Sequence, residues 1–196
     1  MRPFAPPSRC FPGRLLPLGL ALALGAGCSP APEEAPAPPE ALTNQALALR
    51  FAGLPQGFVV ADNGARLVLV GEGTMGDGTM TVEAGEPSDF GIDPVAEANA
   101  EQERFEGLPD GVFLGVRQLV LPIGPGAWAR GRFSADGRAL EETRVFVVHP
   151  TENRLVTASY VYPAGEAEDS GQRVQRLFEL VGEIEAADDP VQPPAP

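Results

Sequence analysis

Trp128, Arg130 and Arg132 alternate along one extended stretch, so a strand places an aromatic ring and two guanidinium groups on a single face. In an acidic chain that face is the candidate surface for an anionic or aromatic ligand. The same residues have a second reading as cross-strand pairs. A turn at Asp136-Gly137 sets Arg132 opposite Glu141, Arg130 opposite Thr143 and Trp128 opposite Val145, which accounts for all three without a ligand.

Other side chains offer less. Gly71-Glu72-Gly73-Thr74-Met75-Gly76 fits the spacing of a dinucleotide-binding loop. A helix must follow such a loop to meet the pyrophosphate, whereas Thr79–Ala84 reads as a strand. Asp89, Asp93, Glu97, Glu101, Glu103, Glu106 and Asp110 could offer oxygens to a hard cation. They lack the dense alternation of a calcium loop and read as a solvated face. His149, the only histidine, precedes Pro150 at a strand end and reads as a turn residue. No G-x-S-x-G surrounds Ser88, Ser134, Ser159 or Ser170, and a catalytic triad would have to use His149. Glu141 and Glu142 are adjacent on a strand, so they point to opposite faces and cannot share an acid–base site. We expect no metal site and no cofactor.

Cys28 is the remaining reactive group. Arg2, Arg9 and Arg14 precede the apolar run Leu15–Leu24, the basic-then-apolar layout of a secretory signal. That run is too short to span a bilayer, which needs roughly 20 residues. Leu24-Gly25-Ala26-Gly27-Cys28 resembles the lipobox of bacterial lipoproteins, with Gly25 where that family usually has Leu. The resemblance implies cleavage before Cys28 and a diacylglyceryl thioether on its sulfur, often with an acylated amine. Two or three acyl chains suffice for stable anchoring. Ser29 in the next position implies the outer membrane, facing the periplasm, if the bacterium has two membranes. With one membrane, the outer face of the cell membrane is implied. An ordinary cleaved signal with an incidental cysteine is the alternative.

Cleavage before Cys28 leaves 169 of the 196 residues, 11 Arg and 27 acids, a formal charge of −16. So acidic a body is repelled by nucleic acid and by anionic lipid. The expected membrane contact is therefore through the acyl chains. Cys10 leaves with the signal, so no intramolecular disulfide can form.

Residues 1–27 thus read as a signal peptide and residues 28–41 as the lipidated cysteine with a Pro/Ala/Glu-rich linker. Residues 42–186 form one folded domain and residues 187–196 a disordered tail. Within the domain, Phe58–Val60 and Arg66–Val70 flank Asn63-Gly64, a hairpin signal that sets Val60 opposite Leu67 and Phe58 opposite Leu69. Both faces of these strands are apolar, which predicts a central position in the sheet. Asp93-Pro94 starts a helix that ends near Glu106. Strands follow at Val112–Leu121, Ala127–Ser134, Ala139–Val148 and Arg154–Tyr162. Val174, Leu177, Phe178, Val181 and Ile184 line one face of a final helix. Arg50–Gly57 and Arg104–Gly111 match at six of eight positions. They are two uses of one Pro-x-Gly turn, or an old duplication that would make residues 43–52 helical.

The expected fold class is α+β: a twisted antiparallel sheet of about six to seven strands with an amphipathic C-terminal helix and a second helix packed on it. This layout is similar to the Mog1/PsbP-like fold. Gly124-Pro125-Gly126-Ala127 opening a strand, the run Leu155–Pro163 and the last helix carry that resemblance. It implies no functional residue.

The expected function is a lipid-anchored cell-envelope protein with a non-enzymatic binding or accessory domain, its partner another envelope protein. Two alternatives stay open. One is a carrier of an apolar ligand in a cavity lined by residues such as Phe146, Leu177 and Phe178. The other is a small envelope enzyme using carboxylates.

Overall fold

The computed structural model describes residues 41–72, 77–165, 167–182 and 184–187. Residues 1–40, with Cys28, and residues 188–196 lie outside the described residues, and with them the expected signal, nearly all of the expected linker and most of the expected tail. Two short strands, β1 (Leu42–Asn44) and β2 (Leu49–Phe51), open the chain. They are followed by β3 (Phe58–Asn63), β4 (Leu67–Gly71) and β5 (Thr79–Ala84). Helix α1 (Pro94–Glu106) leads to β6 (Val112–Leu121), β7 (Gly124–Ala135), β8 (Arg138–Val148) and β9 (Leu155–Pro163). Helix α2 (Ala167–Gly182) and β10 (Ile184–Ala186) close it.

Seven strands form one antiparallel sheet in the order β3-β4-β5-β9-β8-β7-β6, and β1-β2-β10 form a second, smaller sheet. The fold is α+β, as the sequence implies. Leu69, Met80, Val82, Val145, Val156, Ala158 and Tyr160 of the large sheet pack with Leu49, Phe51, Leu177, Leu180 and Val181 in the main core. On the opposite face Ala98, Ala127, Ala129 and Phe146 make a second, smaller core under α1. The cap of α1 is as expected: Asp93 Oδ1 accepts from Val95 N at 2.9 Å, and Pro94 holds the first position. Small residues on β7 let α1 sit close. A Cβ on Gly131 would lie 2.2 Å from the Phe105 ring.

Several expectations are corrected. The hairpin at Asn63-Gly64 is not a two-residue turn. Asn63 pairs with Leu67, Val60 with Leu69 and Phe58 with Gly71, with a register shift between Val60 and Asp62. Side chains hold this different turn: Asp62 Oδ1 accepts from Gly64 N at 3.0 Å, and Asn44 donates to Asn63 Oδ1 at 2.8 Å. That hairpin is not central either, because β3 is the sheet edge and Val59 is 40% exposed. Helix α1 covers only β6, β7 and β8, so the face carrying Val59 and Val70 stays open. Residues 43–52 are not helical, which removes the structural support for a duplication. The two copies also turn differently, with positive φ at Gly57 in the first and at Asp110 in the second. Ile184 lies beyond α2, in β10, opposite Phe51. Leu180 takes its place on the buried helical face.

Candidate functional site

The second turn forms as read. Asp136 and Gly137 both adopt positive φ, 51° and 71°, the geometry of a two-residue hairpin. The register then follows: Arg132 faces Glu141, Arg130 faces Thr143 and Trp128 faces Val145. Trp128, Arg130 and Arg132 therefore do share one face of β7, and it is the α2 side.

There the two guanidinium groups converge on Glu141, which has no solvent exposure. Arg130 Nε donates to Glu141 Oε1 at 2.5 Å, and its Nη2 reaches the same oxygen. Arg132 Nη2 donates to Oε2 at 3.0 Å. From the other neighbouring strand, Tyr162 OH donates to Oε1 at 2.9 Å. Burial pushes the Glu141 carboxyl up, but these three donors outweigh it and hold it below 4.5. Burial also raises Tyr162, and Tyr160 beside it, to about 12. Trp128 packs edge-on against Phe178 of α2, with ring centroids 6.3 Å apart, and the Arg117 guanidinium lies 5.8 Å from its ring.

Glu142 points to the other face, as alternation requires. Arg104 of α1 reaches it at 2.8 Å and also bonds Glu101. Arg144 reaches Glu101 at 2.8 Å. Burial lowers the Arg104 pKa, but bonds to Glu101 and Glu142 outweigh it and raise it overall. Sequence spacing exposes the i,i+3 pair Glu101–Arg104. The partner Arg144 lies 43 residues away from Glu101, and only the packed helix brings it there. Tyr162 was likewise missed: the β8–β9 register sets it across from Glu141, and the Asp136-Gly137 turn fixes only the β7–β8 register.

His149 is buried at the β8–β9 turn. Its Nδ1 accepts from Glu152 N at 3.1 Å and Thr151 N at 3.3 Å. Its Nε2 lies 3.1 Å from Leu47 O, so the Nε2–H tautomer donates there. Both ring nitrogens are engaged, and the imidazole clips the β1–β2 loop to the large sheet. Among the described residues no group of three His, Cys, Asp or Glu gathers as for a metal. The acidic run is divided: Glu101 is buried, Asp93 caps α1, and Glu106 accepts from Gln102 at 2.8 Å. Of the glycine-rich loop, residues 73–76 lie outside the described residues. Strand β5 follows it, where a pyrophosphate site needs a helix.

The open grooves lie elsewhere. One of about 430 Å³ lies between α2 and the β2–β3 connection, lined by Gln56, Gln172, Gln175, Arg176 and Glu179. Another, of about 380 Å³, lies between α1 and the β6–β7 hairpin, lined by Val95, Gln118, Leu119, Val120 and Pro125. The cavity expected between Phe146, Leu177 and Phe178 cannot form. Phe146 belongs to the α1 side, and Leu177 and Phe178 belong to the α2 side.

No protein-family model matches this chain, and no curated protein matches it. Solved structures do. The Ran-binding protein Mog1p of Saccharomyces cerevisiae superposes with a TM-score of 0.55 at 14% identity, covering 76% of this chain and 95% of that one. A Bacteroides thetaiotaomicron protein gives 0.54 at 12% identity, covering 78% of this chain. This chain spans 50% of that protein's length. A looser likeness, with a TM-score of 0.45 at 13% identity, is to LpqN of Mycobacterium tuberculosis, a protein involved in cell envelope biogenesis. It covers 69% of this chain and 81% of that one. The fold is that of Mog1. Among the described residues no helix is long and apolar enough to cross a membrane.

Proposed function

We propose that this protein is a lipid-anchored envelope component whose folded domain is a non-enzymatic binding or accessory module. The observation that carries the reading is that the buried carboxylates Glu141 and Glu142 and the buried ring of His149 are occupied by partners inside the fold. Glu141 is met by Arg130, Arg132 and Tyr162, Glu142 by Arg104, and His149 by backbone groups and the Thr151 hydroxyl. None of these groups lines either groove, so the chemically potent side chains hold the fold and leave binding to the surface. Mog1p, with the same fold, is a Ran-binding protein, which is in keeping with a protein-binding role.

The anchor is Cys28, acylated after export, and it places the domain at the outer membrane facing the periplasm in a two-membrane cell. Labelled palmitate should enter the native chain and not the Cys28→Ser chain, and the latter should leave the detergent phase while keeping its unfolding transition. Label retained in Cys28→Ser overturns the anchor. Native mass spectrometry separates the two functional readings. A chain that carries no small molecule, and that cross-links in the envelope to a defined protein, supports the module. A stoichiometric bound metabolite overturns it in favour of a carrier.

A further inference from the structure

The two edges of the large sheet are not equivalent. Edge β3 is short, and its register shifts after Val60. It ends in Asp62 and Asn63, whose side chains are bonded to Gly64 N and Thr43 O. Bulges and charges of this kind protect an edge from pairing. Edge β6 has 10 residues, and among the described residues its backbone bonds run only to β7. It contains no proline and one charge, Arg117, which lies over the Trp128 ring. Val112, Leu114 and Val120 are exposed on it, Val120 at 88%. A bulge lies between Phe113 and Gly115, after which Val116–Leu121 pairs regularly with β7.

Charge singles out the same edge. The chain has a formal charge of −13, yet no Asp or Glu occurs from Gly111 to Ala135, the whole of the β6–β7 hairpin. Beside it, the groove toward α1 is lined by Val95, Gln118 and Val120. Two copies of this acidic molecule meet with least repulsion here, where an open ladder of N–H and C=O groups calls for another extended strand.

We propose that β6 is a homodimer interface. It pairs antiparallel with β6 of a second copy about a two-fold axis and joins the two large sheets into one. Opposed residues in an antiparallel pair share a face, which restricts the register. The register centred on Gln118 sets Val116 opposite Val120 of the second copy and Arg117 opposite Leu119. It keeps the two Arg117 side chains from facing each other.

The test uses the full chain carrying Cys10→Ser and Cys28→Ser, so that neither acylation nor native thiols contribute. Sedimentation equilibrium across a concentration series should show a monomer–dimer exchange. Val120→Lys should weaken the dimer roughly tenfold or more, since it places a charge against apolar partners. Val59→Lys, on the guarded edge, should leave the dimer unchanged. Gln118→Cys should cross-link the dimer under mild oxidation. A chain that stays monomeric at the highest concentration reached overturns the proposal. So does a dimer that survives Val120→Lys but dissociates with Val59→Lys, or one that Gln118→Cys fails to cross-link.

Discussion

Glu141 and Glu142 are neighbours on β8 and belong to two different kinds of ionic structure. Around Glu141 the partners come from β7 and β9, the strands on either side. That cluster fixes the register of three strands, and the carboxylate is sealed from water. Around Glu142 the partners include Arg104 of α1, whose side chain is 36% exposed. That cluster clasps a helix to a sheet and touches solvent. A charge is tolerated inside when every lone pair is met, and the two sites meet that condition to different degrees. Sealing makes the first rigid and costly to disturb. Exposure makes the second forgiving.

Substitution should separate them. Glu141→Ala leaves Arg130 without its buried partner and should cost about 3–5 kcal/mol in urea unfolding. Glu142→Ala should cost less, about 1–3 kcal/mol, because Arg104 can turn to water. Equal losses would break the distinction. Gly131→Ala pushes a methyl group against Phe105 and should cost about 1–3 kcal/mol by overpacking. Hydrogen exchange should then quicken in α1 and stay unchanged in α2, since the two lie on opposite faces.

Titration sharpens the contrast. The folded Glu141 pKa lies below 4.5, so its contribution is fully present above that value and is lost as pH falls through the folded value. Glu141→Gln should flatten the stability profile below about pH 4.5 relative to the native chain. At the other limb, the chain's only two tyrosines are Tyr160 and Tyr162, both raised to about 12. Folded protein at pH 11 should show almost no tyrosinate absorbance, and the signal should appear together with unfolding. Stability from these two groups is present below about pH 10 and is lost as pH rises through the folded value. The smallest effect is expected of Arg132→Ala. Its side chain is 48% exposed, and its loss should cost under about 1 kcal/mol.

Legibility in the sequence followed how local the deciding contacts were. Asp136-Gly137 was readable because the turn depends on two adjacent residues. It carried with it the pairing of Arg132 with Glu141 across 9 residues. Asn63-Gly64 gave the same signal and misled, because Asn44, 19 residues away, bonds Asn63 in a different turn. Strands β1, β2 and β10 are 3 residues each, too short for any periodicity to register. Glu101 read as part of a solvated acidic face. Its burial depends on Arg144, which the sequence does not tie to it.

One of those unread strands governs when the fold can be completed. Phe51 in β2 needs Ile184 in β10 as its neighbour, and the last strand is also the last made. At roughly 5–20 residues per second, the roughly 130 residues between them take on the order of ten seconds to synthesise. Throughout that interval β2 has only β1 beside it, and α2 has not been made. The main core, which takes Leu177, Leu180, Val181 and Ile184 from this late segment, is thus the last part of the domain that can close.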